Sequence, residues 1–174
     1  MTEAVAIRLL AVADLPAYKA LRDEMLEAHP EAFTSDAQEE RAKEPTDYLH
    51  RLGVDRRERG QFVLGGWRGE RLLGAIGCER DRRRKVRHIG HIVGMMVRPE
   101  ARGQGIAREL LQGLIGECRR AEGVEMLTLT VTAGNLPAVR LYESSGFVVY
   151  GSLGRAIRLG KGQYHDKLHM VLAL

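Results

Sequence analysis

Met95-Met96-Val97-Arg98-Pro99-Glu100-Ala101-Arg102-Gly103-Gln104-Gly105-Ile106-Ala107-Arg108 joins an apolar run to an amphipathic helix through a short basic turn with two glycines. A strand that feeds such a turn at a helix N-terminus leaves several backbone N–H groups aimed at one point. Those orphan donors and the helix dipole together make a phosphate site. Three phosphate-binding patterns compete for the stretch. A P-loop requires Gly-Lys-Ser/Thr, and Gly105 is followed by Ile106. A dinucleotide fingerprint requires a third glycine where Arg108 stands, inside a repeated βαβ context that is missing. Arg-x-x-Gly-x-Gly/Ala is met by Arg102, Gly105 and Ala107.

Outward from this turn the chain reads as a mixture of strands and helices. Upstream, Val5–Leu10 suits a first strand, and Asp14 stands where an N-cap would precede a helix carrying Leu15, Tyr18, Leu21, Met25 and Leu26 at helical spacing. That pattern ends near His29-Pro30, and Glu31–Phe33 reads as a linker. Ser35 or Asp36 can cap a charged helix running toward Lys43; Pro45 interrupts it, and a piece with Tyr48, Leu49 and Leu52 stops at Gly53. This mostly polar region is expected on the surface or as a substrate-facing wall. Gln61–Trp67 and Arg71–Glu79 around Arg68-Gly69-Glu70 form a strand–turn–strand pattern. Arg87–Val97 is a third run, with Gly90 and Gly94 as bulge or close-approach positions.

Downstream, Ile106, Leu110, Leu111, Leu114, Ile115 and Cys118 make one helical stripe. Met126–Thr132 alternates as a buried strand, Asn135 caps a short helix that Gly146 closes, and Phe147–Tyr150 is a strand. Gly151, Gly154, Gly160 and Gly162 punctuate a connection to a last run, His165–Leu174. The order β, helices, three strands, helix, strand, helix, two strands predicts an α/β sheet that is neither purely parallel nor purely antiparallel.

At 174 residues the chain is one domain with a real core, residues 1–174. With 44% hydrophobic and 29% charged residues it is of globular composition, and no apolar run approaches the ~18 residues of a membrane span. Met1-Thr2-Glu3-Ala4-Val5 lacks the basic and apolar regions of a signal peptide. Cys78 and Cys118 read as core fillers in a reducing cytoplasm, with no metal-ligand spacing near them, so no metal is expected. The net charge of +4 is concentrated in Arg80, Arg82, Arg83, Arg84, Lys85 and Arg87. Aromatic residues, at 5%, give that cluster few stacking platforms, so it reads as a solvated loop and nucleic acid as an unfavoured partner.

Val97–Ala107 and Asn135-Leu136-Pro137-Ala138-Val139-Arg140-Leu141-Tyr142-Glu143-Ser144-Ser145-Gly146-Phe147 together resemble the two signature motifs of the GNAT superfamily of N-acetyltransferases, small bacterial type. The resemblance covers His88–Leu174, and Tyr164-His165-Asp166-Lys167-Leu168-His169-Met170 is similar to the terminal strand of many bacterial members. Two motifs about 30 residues apart are far more specific than either alone.

The resemblance implies the GNAT fold, a mixed central sheet of about seven strands flanked by helices and splayed at the acetyl-CoA site. It implies acetyl-CoA as donor and direct acetyl transfer to a primary amine of a small molecule or peptide. N–H groups over Gly103, Gln104, Gly105, Ile106 and Ala107 would cradle the pyrophosphate, with Arg102 or Arg108 pairing its oxygens. Met95, Met96 and Val97 would offer backbone to the pantetheine arm, and Asn135 would cap its helix or touch that arm. Many relatives carry tyrosine where Met96 stands, so any role of that phenol is absent.

Tyr142 stands at the family position for the donor to the departing thiolate. The base is His91, or Glu79 acting through water. Strand alternation puts His91 on the face of Met95 and Val97 unless Gly94 introduces a bulge. Two other classes stand beside the enzyme: a catalytically inactive CoA-binding sensor or interaction module, and an RNA-associated protein using the Arg80–Arg87 cluster. Relatives often form homodimers. No motif names the acceptor.

Overall fold

The computed structural model describes residues 4–54 and 60–174; the start of the N-terminal stretch, residues 1–3, lies outside them. Seven strands form one open sheet: β1 (Ala6–Leu9), β2 (Phe62–Arg68), β3 (Arg71–Arg80), β4 (Ile89–Val97), β5 (Met126–Thr132), β6 (Val148–Gly160) and β7 (Gln163–Ala173). Their spatial order is β1-β2-β3-β4-β5-β7-β6. Every neighbouring pair is antiparallel except β4 and β5, which run parallel. The helices are α1 (Leu15–Ala28), α2 (Ala37–Arg41), α3 (Leu49–Leu52), α4 (Ile106–Arg120) and α5 (Leu136–Ser144).

Each face of the sheet carries its own apolar cluster. On one, the stripe Ile106, Leu110, Leu111, Leu114, Ile115 and Cys118 of α4 joins Ile76, Cys78, Ile92, Leu127, Leu129 and Met170, with Val139 and Tyr142 of α5 in the same cluster. On the other, Leu15, Tyr18, Leu21 and Met25 of α1 join Tyr48, Leu52, Val63, Trp67, Ala75 and Met96. All the apolar positions that the α1 and α4 periodicities single out are buried. Burial of one large apolar side chain contributes about 1.5–3 kcal/mol, so these two stripes set how the helices dock.

Three local expectations change. Asp14 stands at the N-terminus of α1, yet its carboxylate accepts from the Ala11 N–H at 2.7 Å and pairs with Arg8 at 2.7 Å, bracing a 3-10 turn ahead of the helix instead of capping it. The glycine-punctuated connection is strand: β6 runs from Val148 through Gly151 and Gly154 to Gly160. Its register against β7 shifts three times, and an edge strand tolerates such irregularity because one side needs no ladder. The polar region before Gly53 hides a buried carboxylate, Glu40, 4% exposed, bonded by Arg22, Lys43 and Tyr48.

Candidate active site

The parallel ladder between β4 and β5 is short. Ile89 faces Met126, Gly90 faces Leu127, His91 faces Thr128, and there the pairing stops. From Ile92 onward β4 has no strand partner on that side among the described residues, whereas β5 stays paired to β7 along its whole length. A gap therefore opens between the two central strands, with main-chain groups of Met95, Met96 and Val97 along one wall. Gly94 shapes it: its φ of +60° suits glycine, and on β3 Gly77 pairs with Val93 while Ala75 pairs with Met96, leaving Ile76 opposite the extra residue of a bulge.

The bulge resolves the alternation question. Met96 is buried in the α1-side cluster, while Met95 and Val97 pack on the α4-side cluster with Ile92. His91, on the opposite face from Ile92, thus shares a face with Met96 and not with Met95 and Val97. Glu79 sits directly across from His91 on β3 and so points to the same side.

At one end of the gap stands the glycine turn. Gly103 and Gly105 have φ of +74° and +83°, and nothing lies within 4 Å of where a Cβ would project from either. The N–H groups from Gly103 to Arg108 make no hydrogen bond to described residues, the first helical bond being Glu109 N–H to Gly105 O. Open space, positive φ and unspent donors at a 15-residue helix are what a pyrophosphate requires. The Ile106 side chain is buried in the core, so this residue offers only its backbone. Arg102 donates to His29 Nε2 at 2.7 Å, which leaves exposed Arg108 the better placed for a phosphate. Arg68, at the end of β2, reaches the turn by bonding the Gln104 side chain at 2.5 Å; a separation of 36 residues gives no sequence signal for it.

Tyr142 lies on the α4 side, 5% exposed, edge-on to Phe147 at 5.9 Å. Burial pushes its phenol up to about 12, and its hydroxyl makes no hydrogen bond to described residues. Asn135 caps α5, its side chain accepting from the Ala138 N–H at 3.3 Å. His91 Nδ1 lies 2.7 Å from Thr128 Oγ1, at the point where the two strands part. Glu79 Oε1 is 3.8 Å from Arg51 Nη1. The structure thus brings His91 and Glu79 together on the α1 side and sets Tyr142 on the α4 side. Thr128, Arg51, Arg22 and Tyr18 are additional side chains of this region; Tyr18 reads from sequence only as core.

The basic loop is partly structural. Arg80 donates to the carbonyls of Glu122 and Gly123 at 3.0 and 2.9 Å, strapping β3 to the end of α4, and Arg83 pairs with Asp81. Cys78 and Cys118 are free, buried, and 3.6 Å apart at sulfur. Among the described residues no three His, Cys, Asp or Glu gather as a metal site, and no helix is long and apolar enough to cross a membrane.

Comparisons with known proteins bear on the family and the fold. The model of the Acetyltransferase (GNAT) family matches residues 18–147. The chain is 25% identical over 153 residues to the L-amino acid N-acetyltransferase AaaT of Escherichia coli (strain K12), covering 88% of this chain and 90% of that one. It is 31% identical over 108 residues to the N-alpha-acetyltransferase 30 of Schizosaccharomyces pombe, covering 62% of this chain and 70% of that one. The fold is similar to yncA of Salmonella typhimurium, solved with its cofactor acetyl-CoA, with a TM-score of 0.84, 24% identity, and 99% and 95% of the two chains covered. The open mixed sheet is the fold shared with that structure, and the chain belongs to the GNAT family of acetyltransferases, with acetyl-CoA as donor.

Proposed function

We propose that the protein transfers acetyl to the primary amine of a small molecule or peptide by direct attack. The observation that carries this is the gap between β4 and β5, with a phosphate cradle at its end and proton-handling side chains on its two faces. The names of the E. coli and S. pombe relatives both describe acetylation of amines.

The donor supplies an acyl thioester, and the chain's own groups do the rest. N–H groups of 103–108 and Arg108 hold the pyrophosphate, and the main chain of Met95–Val97, beyond the end of the β4–β5 ladder, holds the arm in the gap. An alkyl ammonium, of pKa near ~10.4 in water, must lose a proton before it can attack. His91 accepts that proton at Nε2, with Nδ1–H donating to Thr128 Oγ1 and fixing the ring; Glu79 on the same face is the second acceptor, through water. Tyr142 presents its hydroxyl from the opposite face. With the phenol at about 12 against ~8.5 for an ordinary thiol, full transfer is uphill by about 5 kcal/mol, so Tyr142 stabilises the thiolate as a hydrogen-bond donor. Two buried free thiols 3.6 Å apart suit a reducing compartment such as the cytoplasm.

Release of thiol from acetyl-CoA across amino acids, polyamines, aminoglycosides and N-terminal peptides tests the reading. Release with at least one amine class is the expected result. Stoichiometric acetyl-CoA binding with no release on any amine would instead identify a CoA-binding module.

A further inference from the structure

Gly94 points its missing side chain at an unusual group of atoms. A Cβ there would lie 3.6 Å from Tyr18 Oη, 3.7 Å from Arg22 Nη1 and 4.0 Å from Arg51 Nη1. These three side chains come from α1 and α3 and converge over the bulge, at the head of the gap. Their hydrogen-bonding capacity is incompletely used. Arg22, 2% exposed, spends Nε and Nη2 on Glu40 at 3.3 and 2.9 Å, while Nη1 has no hydrogen bond among the described residues. Arg51 Nε is buried without a partner among the described residues, and its Nη1 stands off at 3.8 Å from Glu79. The Tyr18 hydroxyl, on a ring 2% exposed, likewise makes no hydrogen bond to described residues. Arg22 is buried, with Glu40 on one side and the Tyr48 ring 5.3 Å away on another, and Arg51 beside it is partly exposed, so the donors the two leave over are placed to receive an anion.

Charge and shape define that anion. Among the described residues Arg22 and Lys43 pair with Glu40 and Arg51 faces Glu79, three cations to two carboxylates. Guanidinium forks match a planar carboxylate, and a phenol adds a third donor. His91 and Gly94 lie three residues apart on β4, a span of about 10 Å at ~3.3 Å per residue. That span leaves room for a small molecule with an amine at one end and a carboxylate at the other.

We propose that the acceptor is a free amino acid, whose carboxylate is taken by Arg22, Arg51 and Tyr18 over Gly94 while its amine faces His91 and Glu79. This rests on the acetyl-transfer reading above and narrows its substrate to one class. An amide of the same amino acid, or the amine left after removing its carboxylate, would leave the spare donors of the two guanidiniums unmet and lose affinity.

The test measures kcat/KM by thiol release for the common L-amino acids, their amides, their decarboxylated amines and short peptides with a free N-terminus. Calorimetric titration of the preferred acid and its amide into enzyme saturated with CoA gives binding without turnover. Free acids should exceed their amides at least about 10-fold in both measurements, a difference of about 1.4 kcal/mol. Arg51→Gln should collapse this acid-over-amide ratio, with Arg51→Lys restoring part of it. Tyr18→Phe, which removes a hydroxyl bonded to no described residue, should lower the ratio several-fold even if Arg51→Gln folds poorly. Amides, decarboxylated amines or peptides handled as well as free acids would overturn the carboxylate site and leave acetyl transfer standing. An acid preference unmoved by either variant would overturn this location for it. Absence of thiol release with every acceptor would overturn acetyl transfer itself, and this proposal with it.

Discussion

Tyr142 holds its proton more tightly than a tyrosine in water, because burial against Phe147 disfavours the phenolate. Its hydroxyl spends no hydrogen bond on the fold, so Tyr142→Phe should leave the melting temperature unchanged. The same variant should lower kcat by about 10²-fold, the scale of a positioned proton donor, with KM for acetyl-CoA within twofold. Unchanged turnover when chemistry is rate-limiting would remove Tyr142 from the reaction. Gly105 makes the opposite case, a residue chosen for what it lacks. At φ +83° any side chain is strained, and a carboxylate there would also meet a pyrophosphate with like charge. Gly105→Glu should abolish acetyl-CoA binding in calorimetry; retained affinity in the folded variant would refute the cradle.

Among the elements, β4 decides which side chains face the gap, and α4 fills the cluster on its own face of the sheet. One extra residue at Gly94 reverses which face every later side chain of β4 occupies, sending Met96 to the α1 side and Met95 and Val97 to the α4 side. In α4, two glycines inside a helix each cost roughly 1 kcal/mol relative to alanine. Their surroundings differ. A Cβ at Gly116 would meet only the Arg120 guanidinium at 3.7 Å, whereas one at Gly113 would press on Leu64 Cδ1 at 3.2 Å. Gly116→Ala should stabilise the protein by about 1 kcal/mol in urea unfolding, and Gly113→Ala by distinctly less.

For the molecule as a whole, the two sheet faces differ in chemistry. The α4 side is apolar throughout its cluster, while the α1 side encloses the Arg22–Glu40–Tyr48 group. Burial raises the Glu40 carboxyl, but the hydrogen bonds from Lys43, Tyr48 and Arg22 outweigh it and bring it down to about 2. A carboxyl depressed in the folded state stabilises the protein above its unfolded pKa and loses that contribution as pH falls through the folded one. Stability should therefore decline from about pH 4.5 toward pH 2 on account of Glu40. Glu40→Gln should cost about 3 kcal/mol at pH 7 by leaving Arg22 buried and unpaired, and should flatten the decline. Urea unfolding at pH 7, 4 and 3 checks both; equal acid sensitivity in the two proteins would show that Glu40 is not its source.

Sequence by itself determined most of the elements, their order and the glycine turn ahead of α4. Local chemistry writes these: apolar residues at helical spacing in α1 and α4, Asn135 as a cap, and two glycines in a turn before a helix. The donor is legible because a cradle of consecutive N–H groups is a property of one short stretch of chain. Only the tertiary structure decided which face His91 occupies, since Gly94 offers either a plain strand or a bulge until β3 pairs beside it. It also decided that Glu40, in a segment reading as polar surface, is buried, because Arg22 and Tyr48 arrive from other elements to satisfy it. The convergence of Tyr18, Arg22 and Arg51 on Gly94 was hidden for the same reason: those residues are scattered along the chain, and only packing brings them together.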